Sequence, residues 1–384
     1  MGGASHLAQF ILCQSIELKM RPTFLQVNLS QLERNLLAIR SHVSPAMVMP
    51  MVKANAYGHG VDGVAPFIEP FVDYFGAATS EEGIHLRELG VKKPILVAGG
   101  TLIEQLNAFA EYDLTLTGSS IELLEAAEEV SRETGRRIKV HLKFDTGMER
   151  VGLHEYEAEP LIEFSLGLKH VDVEGIYTHL ANSELDDRSY SKLQLERFQE
   201  ILHVYEKLSE PAPVLKHVNN SGGILNLPDS NFDMVRPGVL FYGVYPGHEV
   251  DRVIDVKPAL TWRSRVTYSK ITKSGRPISY GSLWQAERET RIVTIPCGYA
   301  DGYFRRMTNQ AQVIIHRKKY PQVGRICMDQ FMVDVGEEDV KVGDNVILLG
   351  GEITAYDLAE WAGTNEYEVL TNISARVPRV FVAE

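Results

Sequence analysis

Val52-Lys53-Ala54-Asn55-Ala56-Tyr57-Gly58-His59-Gly60 is the stretch that decides the fold, because it carries one lysine from an apolar run directly into a glycine-containing turn. The preceding run, residues 46–52, is too short for a globular helix, which favours a buried β-strand. Lys53 then lies at the end of a strand, where a desolvated amine can lose its charge and become a nucleophile or form a Schiff base. A lone lysine in this position is more often structural, with its amine reaching solvent.

Short apolar runs alternate with helical segments after Lys53, and this alternation predicts the first domain. Seven runs follow the one that leads into Lys53, at residues 74–78, 94–98, 114–117, 138–144, 173–177, 214–218 and 232–235. Eight strands separated by helices over roughly 250 residues are typical of a (β/α)8 barrel, in which active sites lie at the carboxyl ends of the strands. We therefore predict an α/β fold with an N-terminal (β/α)8 TIM-type barrel.

A second domain is predicted where the pattern changes, at about Pro258. Alternating segments broken by glycine turns follow, at residues 260–266, 291–295 and 312–315, and they predict a C-terminal β-rich domain. We divide the chain into an N-terminal extension (1–21) that could join the β domain, a cofactor-binding barrel (22–256) and a β-rich domain (257–384). The apolar run at residues 7–13 lacks a preceding basic region and a clear cleavage site, so it predicts a start-site extension or a lead-in strand and not a signal peptide.

The composition excludes several classes of protein. A formal net charge of -12 argues against a nucleic-acid partner, because phosphate backbones are met by basic patches. No apolar stretch is long enough to span a bilayer, so we expect no membrane partner. The three cysteines, Cys13, Cys297 and Cys327, are too few and too widely spaced for a disulfide framework or a zinc signature. This usage fits a reducing cytoplasm and no metal site.

The residues that could carry chemistry come directly after the predicted strands. If the barrel forms, these residues meet at one rim, because all the strands end there. They are Lys53 and Tyr57 after the first strand, Asp145-Thr146-Gly147-Met148-Glu149-Arg150 after the fifth, Thr178-His179 after the sixth, Asn219-Asn220-Ser221-Gly222 after the seventh and Arg236-Pro237-Gly238 after the eighth.

A lysine at such a rim allows two chemistries, a Schiff base with a carbonyl substrate or one with pyridoxal phosphate. Ser221-Gly222-Gly223 opens a helical segment and Gly238 closes the eighth strand, which is where barrels bind phosphate. Arg236 would keep the nitrogen of a pyridoxal ring unprotonated, because a guanidinium can only donate. That arrangement favours brief carbanion formation and reprotonation over transamination. Each residue alone also has an ordinary structural explanation, such as a helix cap, a turn glycine or a surface ion pair.

Seven motifs, in chain order, carry a resemblance to a known family. They are Val52-Lys53-Ala54-Asn55-Ala56-Tyr57-Gly58-His59-Gly60, Asp145-Thr146-Gly147-Met148-Glu149-Arg150-Val151-Gly152, Val235-Arg236-Pro237-Gly238, Ile278-Ser279-Tyr280-Gly281, Ile295-Pro296-Cys297-Gly298-Tyr299-Ala300-Asp301-Gly302, Gly324-Arg325-Ile326-Cys327-Met328-Asp329-Gln330 and Arg376-Val377-Pro378-Arg379. With these motifs the sequence resembles the alanine racemases from about Arg21 to the C-terminus. The resemblance implies an isomerase that uses pyridoxal 5'-phosphate and works as a head-to-tail homodimer with shared active sites.

The same resemblance implies a two-base reaction on an aldimine of pyridoxal phosphate. Lys53 would hold the cofactor and act as one base, and Tyr280 would reach the opposite face of that cofactor from the partner subunit. A relay from Tyr280 through His179 and Arg236 to the pyridine nitrogen would supply the cationic neighbourhood that a phenol needs to act as a base. The reaction interconverts L-alanine and D-alanine, which the family supplies for peptidoglycan synthesis.

Further roles follow from the same resemblance. Arg150 would meet the substrate carboxylate, and the backbone N–H of Met328 would approach the carboxylate in the partner's site. Tyr280 and Tyr367 would restrict the entrance to small amino acids. Lys143 matches a lysine that family members can carry as a carbamate. Tyr299 and Asp329 would lie near the entrance, and Cys327 is either an ordinary buried residue or a support of the site. The cofactor contacts besides Lys53 would be Tyr57, His179, Asn220, Ser221, Arg236, Gly238, Val239 and Tyr367.

Four alternatives remain open from the sequence. A barrel-fold amino-acid decarboxylase would place an acidic group near the pyridine nitrogen, where this chain has Arg236. A racemase of broader substrate range would need a wider entrance than two tyrosines allow. A pyridoxal-phosphate carrier protein lacks the β domain that holds Tyr280 and the Cys327-Met328-Asp329 motif. A barrel without a cofactor would show no visible absorption from Lys53.

Overall fold

The computed structural model describes residues 21–208 and 214–384, which form two compact units. We call the first the barrel unit, which consists of Leu32–Ala56 and the described part of Val61–Lys257. The second, which we call the β unit, contains the described residues up to Gln31, the segment Tyr57–Gly60 and Pro258–Glu384. The predictions made for residues 1–20, including the lead-in strand, lie outside the described residues.

Eight parallel strands build the barrel unit, which confirms the predicted fold class. Strand β1 (Phe24–Asn28) belongs to the β unit, and the strands that follow it are β2 (Met47–Val48), β3 (Phe75–Ala77), β4 (Ile95–Val97), β5 (Thr115–Gly118), β6 (Ile138–Asp145), β7 (Leu153–His154), β8 (Val171–Tyr177), β9 (Leu215–His217) and β10 (Met234–Val235). Their neighbour order is β2-β10-β9-β8-β6-β5-β4-β3, with the short β7 attached to β6 alone. A parallel bridge between Met51 and Gly76 links the two end strands.

The barrel strands are buried on both faces, which explains why their sequences read as continuous apolar runs and not as alternating ones. Every residue of β3, β4 and β5 is buried. The run before Lys53 was predicted as a strand of seven residues, but only Met47–Val48 are in the strand. Backbone hydrogen bonds continue beyond this short strand, from the Met49 and Met51 N–H groups to the carbonyls of Val235 and Pro237.

Helices alternate with the barrel strands, and at least three of them begin with a side-chain cap. They are α1 (Leu29–Val43), α2 (Val61–Ile68), α3 (Ser80–Glu88), α4 (Leu106–Tyr112), α5 (Ile121–Thr134), α6 (Ala158–Leu166), α7 (Ser189–Leu208) and α8 (Ser221–Asn226). The Thr79 side chain caps α3 by accepting from the Glu82 N–H, and Ser120 caps α5 in the same way. Asn220 caps α8, so Ser221 is the first residue inside that helix and not its cap.

The β unit is built on a sheet of nine strands. Besides β1, its strands are β11 (Leu260–Arg265), β12 (Tyr268–Thr272), β15 (Thr290–Ile295), β16 (Gln312–Ile315), β17 (Lys318–Val323), β18 (Phe331–Gly336), β19 (Asn345–Leu349) and β20 (Arg379–Val382), and the hairpin β13 (Pro277–Ile278) and β14 (Trp284–Gln285) lies apart from the sheet. Helices α9 (Ala355–Ala362) and α10 (Glu366–Thr371) complete the unit. The sheet is antiparallel apart from the pair β1–β20.

The first strand of the described residues, β1, belongs to the β unit, whereas the barrel was predicted to start at residue 22. Strand β1 lies between β11 and β20 in the sheet of the β unit. Its side chains alternate between buried and half-buried, with Leu25 and Val27 fully covered. That alternation is typical of a sheet with one covered face and not of a barrel strand buried on both faces. In the described part of the chain no helix is long and apolar enough to cross a membrane.

Candidate active site

Lys53 follows the first barrel strand and begins a left-handed turn. Residues 54–57 all have positive φ, with values of 52°, 56°, 53° and 50°, and none of them is glycine. A left-handed conformation costs roughly 1–2 kcal/mol for each L-residue and is usually adopted by single residues. The Ala56 N–H donates to the carbonyl of Val52 at 2.9 Å, and the Val61 N–H donates to Oδ1 of Asn55 at 2.8 Å. These bonds, together with one from Glu82, hold the turn in a conformation that the chain alone would not adopt.

The Lys53 amine lies in an environment that disfavours its charge. Burial lowers the pKa of Lys53 below its usual value, and the nearby Arg150 guanidinium lowers it further. The Glu82 carboxylate acts in the opposite direction and raises it. The net effect is a lowered pKa, which increases the neutral fraction of the amine and therefore its nucleophilicity.

Arg236 is a buried guanidinium held by three acceptors of the barrel unit. Its Nη1 donates to Nδ1 of His217 at 2.7 Å, and its Nη2 donates to the carbonyl oxygens of Thr178 and Val218, each at 2.7 Å. Nη2 also lies 3.3 Å from Nδ1 of His179. Burial lowers the pKa of Arg236 to about 10, so this side chain stays charged at neutral pH. The surrounding network therefore fixes both the charge and the orientation of the guanidinium.

The acceptors of Arg236 determine the protonation of two further histidines. Because an arginine only donates, Nδ1 of His217 must accept, and the hydrogen of a neutral ring then lies on Nε2. That Nε2 donates to Nδ1 of His141 at 2.8 Å, which places the hydrogen of His141 on its own Nε2. Burial, followed by the charge of Arg236, holds the pKa of His217 well below its usual value and lowers that of His141 to about 3. Both rings are therefore neutral, and they orient Arg236 without competing with its charge.

His179 is neutral for the same reasons. Burial and then the charge of Arg236 hold its pKa well below the usual value for histidine. Its Nδ1 lies 3.3 Å from Nη2 of Arg236, so the ring borders the guanidinium. The structure therefore brings together two members of the relay expected from the sequence, Arg236 and His179, both in the barrel unit.

The loop after β6 is closed by one carboxylate. Oδ1 of Asp145 accepts from the backbone N–H groups of Gly147, Met148 and Glu149 at 2.8, 2.8 and 3.0 Å, and Oδ2 accepts from that of Arg150 at 2.9 Å. Burial alone would raise the pKa of Asp145, but these donors outweigh it and lower the pKa to about 2. The permanent negative charge keeps the loop closed and fixes the backbone from which the exposed Arg150 side chain extends.

Lys143 is buried in strand β6, two residues before its end. Its Nζ donates to the carbonyl of Phe144 at 2.6 Å and lies 5.4 Å from the centre of the Tyr177 ring. Burial lowers the pKa of Lys143 to about 7, with Asp145 opposing the shift and Arg236 adding to it. A substantial neutral fraction of this amine is therefore present near neutral pH.

The candidate phosphate residues lie after β9 and β10. The Ser221 hydroxyl accepts from the backbone N–H of Gly238 at 2.9 Å and from that of Leu240 at 3.3 Å, which ties α8 to the segment that follows β10 and contains the buried Val239. Oδ1 of Asn220 accepts from the Gly223 N–H at 3.0 Å and so caps α8. The first N–H groups of a helix have no partner within it, and they are available for an anion.

The remaining predicted residues lie in the β unit. Tyr280 is 71% exposed on the turn between β13 and β14, and Met328 is 52% exposed. The backbone N–H groups of Tyr299 and Ala300 donate to the carbonyls of Cys327 and Met328 at 3.1 and 3.0 Å. A Cβ on Gly298 would lie 2.3 Å from both of these carbonyl oxygens, so the close approach of the two segments requires glycine there.

Other contacts of the β unit fix the remaining members of the predicted set. Asp329 accepts from Nη2 of Arg376 at 2.7 Å. The sulfur of the partly buried Cys327 lies 3.4 Å from the hydroxyl of Ser279, the residue before Tyr280. The rings of Tyr57 and Tyr367 pack with their centres 6.2 Å apart.

Three contributors to the site were not identified from the sequence. His141 and His217 occur inside apolar runs, and their role depends on the adjacency of β6, β8 and β9, which the sequence does not show. Glu82 could have been singled out, since Thr79 and Glu82 have the spacing of a helix capping pair. Its carboxylate instead reaches the Ala78 and Ala54 N–H groups, a contact that only the folded chain reveals.

Comparison with known proteins agrees with this arrangement. The chain matches the family descriptions "Alanine racemase, N-terminal domain" over residues 27–246 and "Alanine racemase, C-terminal domain" over residues 259–381. It is 44% identical to an alanine racemase of Carboxydothermus hydrogenoformans, with 94% of this chain and 100% of that protein covered.

Solved structures give the same result. An alanine racemase from Clostridium difficile 630 superposes with a TM-score of 0.89 at 35% identity, covering 94% of this chain and 97% of that one. One from Bartonella henselae, solved with covalently bound pyridoxal phosphate, gives a TM-score of 0.85 at 27% identity, covering 94% of this chain and 99% of that one. This chain therefore belongs to the alanine racemase family, a family of isomerases.

Proposed function

We propose that this protein interconverts L-alanine and D-alanine with pyridoxal phosphate bound to Lys53, and that it supplies D-alanine for peptidoglycan synthesis. One observation carries the proposal: the barrel unit contains both an amine with a lowered pKa, Lys53, and a buried guanidinium, Arg236, that stays charged. We place the activity in the cytoplasm on the basis of cysteine usage alone.

The donors present fit pyridoxal phosphate. In residues 21–208 and 214–384, Nε of Arg236 has no acceptor, which leaves a donor of this buried side chain for a ring nitrogen. The Ser221 hydroxyl accepts two backbone N–H groups and keeps its own hydrogen to donate to a phosphate. The first turn of α8 and the segment of Gly238 and Val239 would supply backbone donors, and Lys53 would bind the aldehyde carbon.

When bound, pyridoxal phosphate supplies an electron-withdrawing ring that acidifies the Cα proton of an amino acid. Arg236 limits this withdrawal, because a guanidinium donates a hydrogen bond but gives up no proton to the ring nitrogen. His217 accepts from Arg236 and is itself hydrogen-bonded to His141, so two neutral rings hold the guanidinium without adding positive charge beside it. Limited withdrawal favours prompt return of a proton to Cα, which a racemase requires.

Inversion at Cα requires a proton acceptor on one face and a proton donor on the other. Lys53 is suited to be one of these groups because its lowered pKa increases the neutral fraction of the amine. We assign the other to Tyr280 of a second copy of this chain, which makes the active enzyme a homodimer with shared sites. The high exposure of Tyr280 supports this assignment, and the relay expected from the sequence would connect this phenol to His179 and Arg236, which lie together in the barrel unit.

The substrate carboxylate would be bound by Arg150 and by the backbone N–H of Met328 from the second copy of the chain. Asp145 fixes the loop that carries Arg150, and the segment of Tyr299 fixes the loop that carries Met328. We assign Tyr57 and Tyr367 to the phosphate, and we assign Tyr280 and Tyr367 to an entrance that admits small amino acids only. Tyr299, Cys327 and Asp329 would support this entrance.

Lys143 is a candidate for carbamylation. Its lowered pKa near 7 provides the neutral amine that reacts with carbon dioxide, and Arg236 and Arg150 are the cations that a carbamate would face. A native mass measurement or high-resolution density under carbon dioxide would test this assignment, and a bare amine under those conditions would exclude it.

The proposed function makes three linked predictions for the purified protein. It should be yellow, lose its colour with borohydride while Lys53 gains the mass of the reduced cofactor, and exchange solvent deuterium into the α-position of either alanine enantiomer. Colour without α-exchange would indicate a pyridoxal-phosphate carrier, and carbon dioxide release would indicate a decarboxylase. A panel of serine and other small amino acids would separate an alanine racemase from one of broader range.

A further inference from the structure

The left-handed turn after Lys53 is held by a residue outside it. Four consecutive non-glycine residues in this conformation form an unfavourable backbone, so the surrounding protein must supply the contacts that stabilise it. Two of these contacts come from the turn and its flanks, between Ala56 and Val52 and between Val61 and Asn55. The third comes from Glu82, in the first turn of α3.

Glu82 joins the ends of the first two barrel strands. One carboxylate oxygen accepts from the Ala54 N–H at 2.7 Å, and the other accepts from the Ala78 N–H, also at 2.7 Å. Ala78 directly follows β3, and the residue before Lys53, Val52, donates its N–H to Gly76 of the same strand segment at 2.9 Å. The backbone of Lys53 is therefore fixed on both sides, by a direct bond from Val52 and by the Glu82 carboxylate at Ala54.

We propose that Glu82 is a positioning residue for Lys53, holding the left-handed turn so that the amine is aimed at the reacting centre. This inference rests on the function proposed above and goes beyond it, because it assigns a role to a residue that does not touch substrate or cofactor. Hydrogen bonds to a charged acceptor are among the stronger ones, and two at 2.7 Å suit a clamp.

Glu82 also acts on the charge of Lys53. The groups that act on this amine are Arg150, from the loop after β6, and Glu82, from α3. Arg150 lowers the pKa of Lys53 and Glu82 raises it, while His179 is neutral and contributes no charge. Removing the Glu82 charge should therefore make the amine deprotonate at lower pH, an effect separate from the loss of the clamp.

Two variants of Glu82 separate the effect of side-chain length from the effect of charge. E82Q keeps the length of the side chain but loses the charge and one of its two acceptors, whereas E82D keeps the charge but is too short to reach both N–H groups. E81Q is the matched control, because Glu81 is exposed on the same helix turn and its hydrogen-bond partners are Thr79, Ser80 and its own backbone N–H, not the Lys53 turn. A54G adds a rescue, since glycine adopts positive φ without the cost that Ala54 bears.

The first measurement needs no cofactor. In the apoprotein, hydrogen–deuterium exchange at residues 53–57 should rise about ten- to a hundredfold in E82Q and E82D, the range expected for loss of a hydrogen bond to a charged group, and stay unchanged in E81Q. Labelling of Lys53 by an amine reagent should begin at lower pH in E82Q but not in E82D. Wild-type exchange rates in both Glu82 variants would overturn the proposal.

The second measurement uses the enzyme loaded with cofactor. We expect kcat to fall about ten- to a hundredfold in E82Q and E82D, as for a misplaced reacting group, with the KM for alanine nearly unchanged. Adding A54G to E82Q should restore part of kcat, and a complete lack of recovery would contradict a role through the turn. If the wild type does not racemise alanine, the proposed function fails, but the exchange measurement still tests the clamp.

Discussion

The turn that carries Lys53 and the turn that carries Tyr280 differ in how completely they are held. Both contain non-glycine residues with positive φ: residues 54–57 in the first turn, and Ser279 (65°) and Ser282 (50°) in the second. The Lys53 turn is fixed by Asn55, by the carbonyl of Val52 and by Glu82. In the Tyr280 turn the Ser279 hydroxyl donates to the carbonyl of Arg325 at 2.6 Å and lies 3.4 Å from the sulfur of Cys327.

The difference fits the proposal that only the Lys53 half of the site is complete within one chain. Lys53 has its neighbours, Arg150 and Glu82, in its own unit, and they already change its pKa. Tyr280 leaves 71% of its surface exposed, as expected of a group whose partners come from another molecule. In the proposed enzyme, Lys53 is already held in position within one chain, whereas Tyr280 becomes ordered when two chains assemble. Mutations in the two turns should therefore have distinct consequences.

The largest effect is expected from K53A. Loss of the amine removes one proton-transfer group and the attachment point of the cofactor, so racemisation should fall by at least ~10³-fold in both directions. Borohydride treatment should add no cofactor mass to this variant. The control is K192A, which removes an exposed lysine on α7. Retention of reducible cofactor at another lysine in K53A would show that Lys53 is not the attachment site.

The next largest effect is expected from Y280F, and it should be one-sided. Because the phenol serves one face only, α-proton removal from L-alanine should fall about 10²–10⁴-fold, and removal from D-alanine should fall far less. Deuterium exchange from each pure enantiomer under single-turnover conditions measures the two values. Y268F is a suitable control, since Tyr268 is 56% exposed in the same unit. Equal losses from both enantiomers would refute the assigned faces.

The sequence predicts the strands of the barrel unit well and the conformation of the turns poorly. The barrel strands and their order along the chain were evident, because buried parallel strands read as apolar runs separated by helical periods. The residues at the strand ends followed from the fold class, and Lys53 and Arg236 both lie in the barrel unit. The positive φ values at 54–57 could not be predicted, because Ala54, Asn55 and Ala56 carry no glycine signal for a left-handed turn.

Long-range contacts set the other limit of the sequence. The assignment of β1 to the β unit depends on pairing with β11 and β20, more than 200 residues away in the chain. The bonds of Arg236 to His217 and of His217 to His141 likewise join separate strands, and each histidine alone looks like an ordinary core residue. Sequence patterns report the local period of burial, whereas these contacts depend on which strands become neighbours.

A smaller effect should distinguish the two units on acidification. The pKa of His141 is about 3 in the folded chain, and those of His217 and His179 are also well below the unfolded value near 6.5. The unfolded state therefore binds more protons below pH 6.5, so the free energy of unfolding falls as pH is lowered through this window. Each histidine contributes up to about 1.4 kcal/mol per pH unit, and the loss is confined to the barrel unit.

The measurement can follow each unit separately. All three tryptophans, Trp262, Trp284 and Trp361, lie in the β unit, so their fluorescence reports on that unit alone. Between pH 7 and 5 we expect the protection of the backbone amides in β6, β8 and β9 against hydrogen exchange to fall before the tryptophan emission changes. H42Q, which replaces an exposed histidine on α1, should leave the pH dependence unchanged. Simultaneous transitions of both units would contradict the assignment to the buried histidines.

The smallest effect is expected at Ser279, and it tests whether the Tyr280 turn is held at all. Ser279 has φ 65° and ψ -176°, a region essentially reserved for glycine that costs roughly 1–3 kcal/mol. Its hydroxyl bond to Arg325 opposes that cost and connects the turn to the segment before Met328. S279A loses the bond and keeps the strain, so the free energy of unfolding should fall by about 1 kcal/mol.

S279G gives the opposite balance, because it loses the same bond but also removes the strain. The free energy of unfolding of S279G in urea should therefore exceed that of S279A and approach that of the wild type. The tryptophan emission, to which Trp284 beside the turn contributes, follows the unfolding. Racemisation should still fall in both variants, by about tenfold, and more from L-alanine than from D-alanine, since each frees the turn that carries Tyr280. S282A, in the same turn, keeps the Ser279 bond and should retain activity. If S279G were as active as the wild type, the Ser279 bond would stabilise the hairpin without positioning the tyrosine, and the order of the Tyr280 turn would depend on assembly alone.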